Sequence, residues 1–109
     1  MVESIVLDNI FMSLADCTRR SILARVAKTE LSIGEIAKHY QLTFAAVSKH
    51  INVLEKAGLV TKQRRGKEKV VIIVPDNLNV AKKQIEAYAN IWGNRFDRLE
   101  KLLKEMENE

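Results

Sequence analysis

The segment LSIGEIAKHYQLTFAAVSKHINVLEKAGLVTKQRRGKEKVVIIV, residues 31–74, contains two helical patterns followed by a strand pattern rich in cations. The helical patterns repeat their apolar residues every three or four positions, and the strand pattern has β-branched residues on both sides of a glycine. This order predicts a winged helix-turn-helix, in which one helix enters a DNA major groove and a β-ribbon lies beside the phosphates.

Both helices of this segment have clear start signals. Ser32 is a good N-cap, and Glu35 three residues later completes a capping box, which predicts a helix that continues to Tyr40. Thr43 caps the next predicted helix, residues 44–57, and Gly58 is typical of a helix end in the left-handed conformation. Only residues 41–43 separate the two helices, and such a short link makes helices cross steeply.

The second helix has one apolar face. Val47, Ile51 and Leu54 form a stripe that we expect to be buried, and the other positions are mostly small, polar or cationic. Such side chains let a helix approach base edges and phosphates. The predicted contacts of this recognition helix are Thr43, Ala45, Ala46, Ser48, Lys49 and His50. His50 borders the stripe and can either pack or donate to DNA. Phe44 is expected to pack within the protein rather than to act as a wedge between bases.

The strand pattern predicts a basic hairpin, called the wing below. Its expected strands are residues 60–64 and 68–74, joined by Arg65, Gly66 and Lys67, with Gly66 in the tight turn. Residues 61–70 contain five cations and one acid, and their net charge of +4 equals that of the whole chain. Focused charge of this kind favours phosphate binding, although lysines that keep an edge strand soluble would give the same pattern. The predicted DNA contacts of the wing are Lys62, Arg64, Arg65 and Lys67.

The regions before and after this segment predict three further helices, of which the first and the last are expected to join two chains. Residues 4–14 and about 19–28 read as amphipathic helices, the second capped by Asp16 or Thr18. Residues 76–109 read as one long helix whose nine apolar positions average 3.5 residues apart, as in a coiled coil. The expected fold is mainly α with a small β-hairpin, in the order α-α-α-α-β-β-α, and dimeric.

The long helix is the basis of the predicted dimer. About 30 residues span roughly 45 Å, more than a domain of this size can cover, so part of the apolar stripe needs a second chain. A helix packed wholly on its own domain is the alternative. The predicted interface residues are Ile5, Leu7, Phe11, Tyr88, Trp92, Phe96, Leu99 and Leu102.

Composition excludes several classes of protein. The 109 residues, 47% hydrophobic and 29% charged, suit a single folded domain. The sequence has no apolar run that could span a bilayer and no signal peptide, so we expect a cytoplasmic protein without a membrane partner. It has no glycine-rich phosphate loop, and Ser48 and His50 point about 200° apart on one helix. We therefore expect neither an enzyme nor a cofactor.

Four segments together resemble the ArsR/SmtB family of dimeric bacterial winged-helix repressors. They are ADCTRRSIL at 15–23, LSIGEIAKHY at 31–40, LTFAAVSKHINVLEKAGLV at 42–60, and RRGKEK at 64–69. The resemblance implies one domain, residues 1–109, that dimerises through the first and last helices, residues 1–15 and 76–109. It also implies a homodimeric repressor that occupies a double-stranded operator, often that of its own operon.

The metal sites of that family are not matched here. The Cys-x-Cys pair of the metal-binding members corresponds to Ser32 and Gly34, and neither residue supplies a thiolate. The alternative site uses Asp and His from the last helix, and residues 76–109 contain no His. Cys17 stands where relatives commonly have Pro. The chain is thus expected to resemble the branch that does not sense metal.

A different function remains open on the same scaffold. A dimerising protein-interaction module could keep the winged helix without binding DNA. The basic wing argues against that alternative.

Overall fold

The computed structural model describes the backbone of residues 2–108 and the side chains of residues 4–108. Met1 and Glu109, which the predicted terminal segments include, lie outside the described residues. The elements in chain order are α1 (Val2–Ser13), α2 (Cys17–Lys28), β1 (Leu31–Ser32), α3 (Ile33–Tyr40), α4 (Phe44–Lys56), β2 (Val60–Arg65), β3 (Glu68–Ile73) and α5 (Pro75–Glu107). The predicted mainly α, winged helix-turn-helix fold is confirmed.

A network of polar contacts fixes the joint between α1 and α2. Asp16 is the N-cap of α2, where its carboxylate accepts a 3.0 Å hydrogen bond from the Arg19 backbone N–H. The Arg19 guanidinium donates from Nε to the Ser13 carbonyl at 2.6 Å. Asp16, rather than Thr18, is therefore the cap, and α2 begins two residues earlier than predicted because Cys17 already belongs to its first turn.

The end of α4 is a Schellman motif. Gly58 has a φ of +73°, its N–H donates to the Glu55 carbonyl at 2.9 Å, and the Leu59 N–H donates to the Leu54 carbonyl at 3.0 Å. Leu59 is fully buried, as expected for the apolar contact of this motif. The predicted glycine end of α4 is confirmed, although Ala57 acts as its C-cap.

The sheet has one strand more than predicted. β1 pairs with β3 antiparallel, Leu31 opposite Val71 and Ser32 opposite Val70, and the strand order is β1-β3-β2. A two-residue strand has no periodicity of its own, and Ser32 also caps α3. β1 therefore has no local signal in the sequence. Its position makes β3 the central strand, which explains why β3 is apolar.

The turn of the wing is shorter than predicted. The two strands pair from Val60 opposite Ile73 to Arg65 opposite Glu68, which leaves only Gly66 and Lys67 as the loop. Gly66 has a φ of +64° at the first loop position. Two-residue hairpin loops match the twist of the strands best when this position has a positive φ. Arg65 therefore belongs to the ladder, not to the turn.

The core lies between the sheet and the helices α1, α2, α3 and α4. Its largest fully buried apolar side chains come from α1, α2, α3, α4, the residue before β2, and β3. Each contributes roughly 1.5–3 kcal/mol by leaving water. They are Ile10, Ile22, Ile36, Val47, Ile51, Leu54, Leu59 and Val71. The predicted stripe of α4 is confirmed as part of this core.

α5 is one uninterrupted helix of 33 residues, as predicted, and Gly93 does not break it. Ala81 is its only buried residue among those described, so most of the helix has solvent on all sides. At 1.5 Å per residue it is about 50 Å long, and it gives the molecule its extended shape of 73 × 32 × 20 Å. None of the helices in the described part is both long and apolar enough to cross a membrane.

Candidate nucleic-acid interface

The helix-turn-helix is held by caps on both sides of its turn. The Ser32 hydroxyl accepts from the Glu35 N–H at 3.1 Å and the Glu35 carboxylate accepts from the Ser32 N–H at 3.2 Å, which confirms the capping box. Gln41 takes the left-handed conformation at the end of α3, and the Leu42 N–H donates to the Ala37 carbonyl at 3.0 Å. These bonds fix the angle at which α4 leaves α3.

α4 presents a polar face beside its buried stripe. Thr43 caps the helix, since its Oγ1 accepts from the Ala46 N–H at 3.1 Å. Ala45 and Lys49 are exposed on the outward side, and Ser48 is half-buried at the edge. Small and cationic side chains on an outward helix face suit contact with base edges and phosphates.

A groove of about 370 Å³ separates α4 from the wing. Its floor is the start of α3, one wall is α4 and the other wall is the wing. The lining residues are Ser32, Ile33, Gly34, Phe44, Ser48, Asn52, Lys62, Lys67, Glu68 and Lys69. Three lysines and one glutamate give the wing wall a positive charge, which suits an anionic ligand.

Two wing cations are held by acids of the domain. Lys62 Nζ donates to Asn52 Oδ1 at 2.8 Å and lies 3.3 Å from a carboxylate oxygen of Glu55, so it ties β2 to α4. Arg65 forms an ion pair with Glu30, just before β1. Both pairs are partly exposed, and such pairs contribute little to stability because water screens them. They position the wing without neutralising Lys67 and Lys69.

The structure brings together part of the predicted DNA-contact set. Ser48, Lys62 and Lys67 line one groove. Arg64 is exposed on the outer end of β2, where its Nε donates to the Gly66 carbonyl at 3.3 Å. His50 lies apart from them, with its Nδ1 3.5 Å from Arg19 Nη1 of α2.

Phe44 corrects an expectation from the sequence. The pattern predicts that it packs within the protein, but its side chain is 59% exposed and lines the groove. The first residue of a helix has no preceding turn to cover it, and Gly34 across the groove has no side chain to meet it. The sequence holds one signal of this exposure. Ser48 and Asn52, at i+4 and i+8 from Phe44, lie on the same flank of the helix, and both are polar.

Asn52 and Lys69 are two polar groove residues that the predicted contact set does not include. Lys69 alternates with Val70 in β3, so its outward direction follows from strand geometry once the strand boundary is known. The contact between Asn52 and Lys62 had no signal in the sequence, because it depends on how close the wing folds to α4.

A second surface lies along the terminal helices. Five predicted interface residues of α5 each expose more than half of their side chains, and the rings of Trp92 and Phe96 are 6.1 Å apart between centroids. Those five residues are Tyr88, Trp92, Phe96, Leu99 and Leu102. In α1, Ile5 and Phe11 are exposed and Leu7 is half-buried. Contiguous exposed apolar residues mark a protein interaction site more often than a bare surface.

A capped helix-turn-helix with a cationic wing defines the class of DNA-binding transcriptional regulators, which are not enzymes. Residues 16–62 match the family described as bacterial regulatory protein, arsR family. The chain is 42% identical over 87 residues to the uncharacterized HTH-type transcriptional regulator YuzN of Bacillus subtilis (strain 168), covering 72% of this chain and 95% of YuzN. The chain belongs to the ArsR family.

Two further relatives extend the comparison. The transcriptional repressor SdpR of Bacillus subtilis (strain 168) is 32% identical over 60 residues, which cover 55% of this chain and 67% of SdpR. The homodimeric winged helix-turn-helix DNA-binding domain Mb0332 (fragment 1–100) of Mycobacterium bovis superposes with a TM-score of 0.64 at 25% identity, covering 75% of this chain and 78% of that chain. The resemblance to the ArsR family that the sequence indicated is confirmed.

Proposed function

We propose that the chain is a homodimeric transcriptional repressor that binds a palindromic operator and does not sense metal. The observation that carries the proposal is the groove between α4 and the lysines of the wing, which is open, cationic and bounded by the helix that this fold presents to DNA. The similarity to SdpR, a repressor, supports the direction of regulation.

In this proposal α4 enters the major groove and the wing lies along the adjacent phosphates. The proposed contacts of α4 are Thr43, Ala45, Ala46, Ser48, Lys49 and, at its inner edge, His50. The proposed contacts of the wing are Lys62, Arg64, Arg65 and Lys67. Lys62 and Arg65 exchange their carboxylate partners for phosphates, because an exposed ion pair costs little to break.

The dimer is proposed to form through residues 1–15 and 76–109 of a single domain. The exposed apolar stripe of α5 supports this, since a soluble monomer rarely leaves so many large apolar side chains in water. The homodimeric Mb0332 domain supports it as well. A two-fold dimer places two α4 helices on half-sites one helical turn apart, roughly 34 Å.

Independence from metal is supported by the chemistry of the residues at the family's ligand positions. Ser32 is buried and its hydroxyl is already bonded in the capping box, while Gly34 has no donor side chain. Within the described residues, no group of three or more His, Cys, Asp or Glu side chains is placed to hold a metal ion.

The test is DNA binding as a function of salt. Genomic fragments recovered with the purified protein, and a footprint on the promoter of its own gene, supply the operator. Fluorescence anisotropy then compares the wild type with the Arg64→Ala, Arg65→Ala double variant. We expect weaker binding to all sequences and a slope of log K against log salt that is shallower by about 0.9 for each phosphate that the variant no longer neutralises.

The control is Lys82→Ala, which removes an exposed cation on α5 that pairs with Glu86 far from the groove. It should leave the slope unchanged. An unchanged slope in the double variant contradicts the role of the wing. Complete absence of salt-sensitive DNA binding in the wild type favours the protein-interaction module instead.

A further inference from the structure

Phe44 is the largest apolar side chain in the groove between α4 and the wing, and the described part of the domain leaves 59% of it exposed. We propose that Phe44 reads the 5-methyl group of a thymine in the operator and so sets part of its sequence. The inference rests on the proposed DNA binding and adds a specificity-determining residue to it.

The position of Phe44 points to a base edge. It is the first residue of α4, directly after the cap Thr43, and the N-terminal residues of a recognition helix are those that reach base edges. The side chain of a helical residue leans toward the helix N-terminus, so the ring extends beyond the first turn. Ser48 and Asn52 continue the same flank of the helix along the groove.

The surroundings of Phe44 determine what kind of ligand can cover it. Lys62, Lys67 and Lys69 lie on the opposite wall of the groove. A ligand that fits the groove therefore has negative charge on the side that faces these lysines and an apolar group on the side that faces Phe44. A DNA duplex fits this pattern, with phosphates for the lysines. The thymine methyl is the one apolar group that base pairs present in the major groove.

The position of Phe44 at the start of α4 does not suit insertion of its ring between base pairs. Apolar wedges that unstack bases act from the minor groove, where they kink the duplex. The start of α4 is the part of the molecule that enters the major groove, and there an aromatic side chain contacts the methyl edge of an intact pair.

The experiment replaces the thymines of one half-site, one at a time, with deoxyuridine, which lacks only the methyl group. Anisotropy titrations measure the ratio of affinities for thymine and uracil duplexes in wild type, Phe44→Ala and Phe44→Leu. At one position per half-site the wild type should bind about fourfold more weakly, the factor that burial of one methyl group supplies. Phe44→Ala should bind both duplexes equally, and Phe44→Leu should keep part of the ratio.

Val53→Ala is the matched control, because Val53 is an exposed apolar residue of the same helix that faces α1 and not the groove. It should keep the wild-type ratio. The proposal is overturned if no thymine is sensitive in the wild type, if Phe44→Ala retains the sensitivity, or if Phe44→Ala changes the oligomeric state. A wild type that binds no DNA at all refutes the proposed function itself, which distinguishes the two failures.

Discussion

Asp16 shows how one side chain can set both a helix start and a response to acid. Its carboxylate accepts the Arg19 N–H, and this hydrogen bond holds the pKa of Asp16 below its usual value of 3.8. The charges of His50 and Arg19 lower the pKa further. Since the folded pKa is lower than the unfolded one, the stabilisation is complete above the usual value and is lost as pH falls through the lowered pKa.

Asp16→Asn is predicted to reduce the acid sensitivity of the fold. Asparagine caps helices about as well as aspartate, so Tm at pH 7 should change little. Between pH 7 and about pH 3, the Tm of the variant should fall less than that of the wild type, because the variant has no carboxylate to protonate at this position. Thermal melts followed by circular dichroism measure this. An equal fall in Tm would contradict the role of Asp16, and Asp8→Asn in α1, a carboxylate outside this network, is the control.

Side chains that act locally were predictable, whereas those that act across the chain were not. The caps Ser32 and Thr43 accept hydrogen bonds from backbone N–H groups three residues away, so their roles could be predicted from the local sequence. Arg65 and Glu30, which form an ion pair, are 35 positions apart, so no local sequence pattern predicts their contact. The exposure of Phe44 likewise depends on a tertiary feature, the open space beside Gly34.

The junction between α4 and α5 depends on a glycine for two reasons. Gly58 has a positive φ, and a Cβ at this position would lie 2.2 Å from Nδ2 of Asn77 in the first turn of α5. That same Asn77 amide donates to the Ala57 carbonyl at 2.9 Å and so satisfies the end of α4. The sequence indicated the helix end but not the contact with Asn77, which joins residues 20 positions apart.

Gly58→Ala is predicted to lower the free energy of unfolding by about 1–3 kcal/mol, through the strained φ and the displaced Asn77 amide. Gly93→Ala is the matched control, because Gly93 lies inside α5 with open space where the Cβ would go. The control should raise helix stability by up to about 1 kcal/mol. Urea unfolding measures both variants. A Gly58→Ala variant as stable as the wild type would contradict the packing described here.

Strand assignment from sequence was limited by the length of the strands. β2 and β3 each have six residues and a glycine turn between them, so their existence and pairing followed from the pattern. β1 has two residues and is a strand only because β3 lies beside it. The apolar composition of β3 was the one indirect sign that a third strand was needed.

The whole molecule has two distinct surfaces, a cationic groove beside the wing and an exposed apolar stripe along α5. The wing has a net charge of +4 over residues 61–70 and forms one wall of the groove, and α5 carries, among its charged residues, large apolar side chains that no other part of the described chain covers. The length and period of α5 were readable from the sequence, because one uninterrupted helix needs no tertiary information. Which stretch of the seam meets a second chain is a property of two chains and stays a prediction.

The double variant Trp92→Ala, Phe96→Ala is predicted to shift the protein from dimer to monomer. Large aromatic side chains dominate interface energies, and their removal commonly costs about 2 kcal/mol or more each. Sedimentation velocity measures the shift, and the variant should also bind the full operator more weakly while its far-UV circular dichroism is retained. Asn94→Ala, an exposed change off the apolar seam, is the control. A dimer that survives the double substitution would place the interface elsewhere.

Val74 alone separates β3 from α5, and its N–H donates at 2.9 Å to the carbonyl of Leu59, the residue after the glycine that ends α4. The end of α4, the wing and α5 therefore meet at one point, joined by this hydrogen bond and a single linking residue. We expect that a partner which displaces α5 would also displace the wing and the end of α4, without having to bind near the groove.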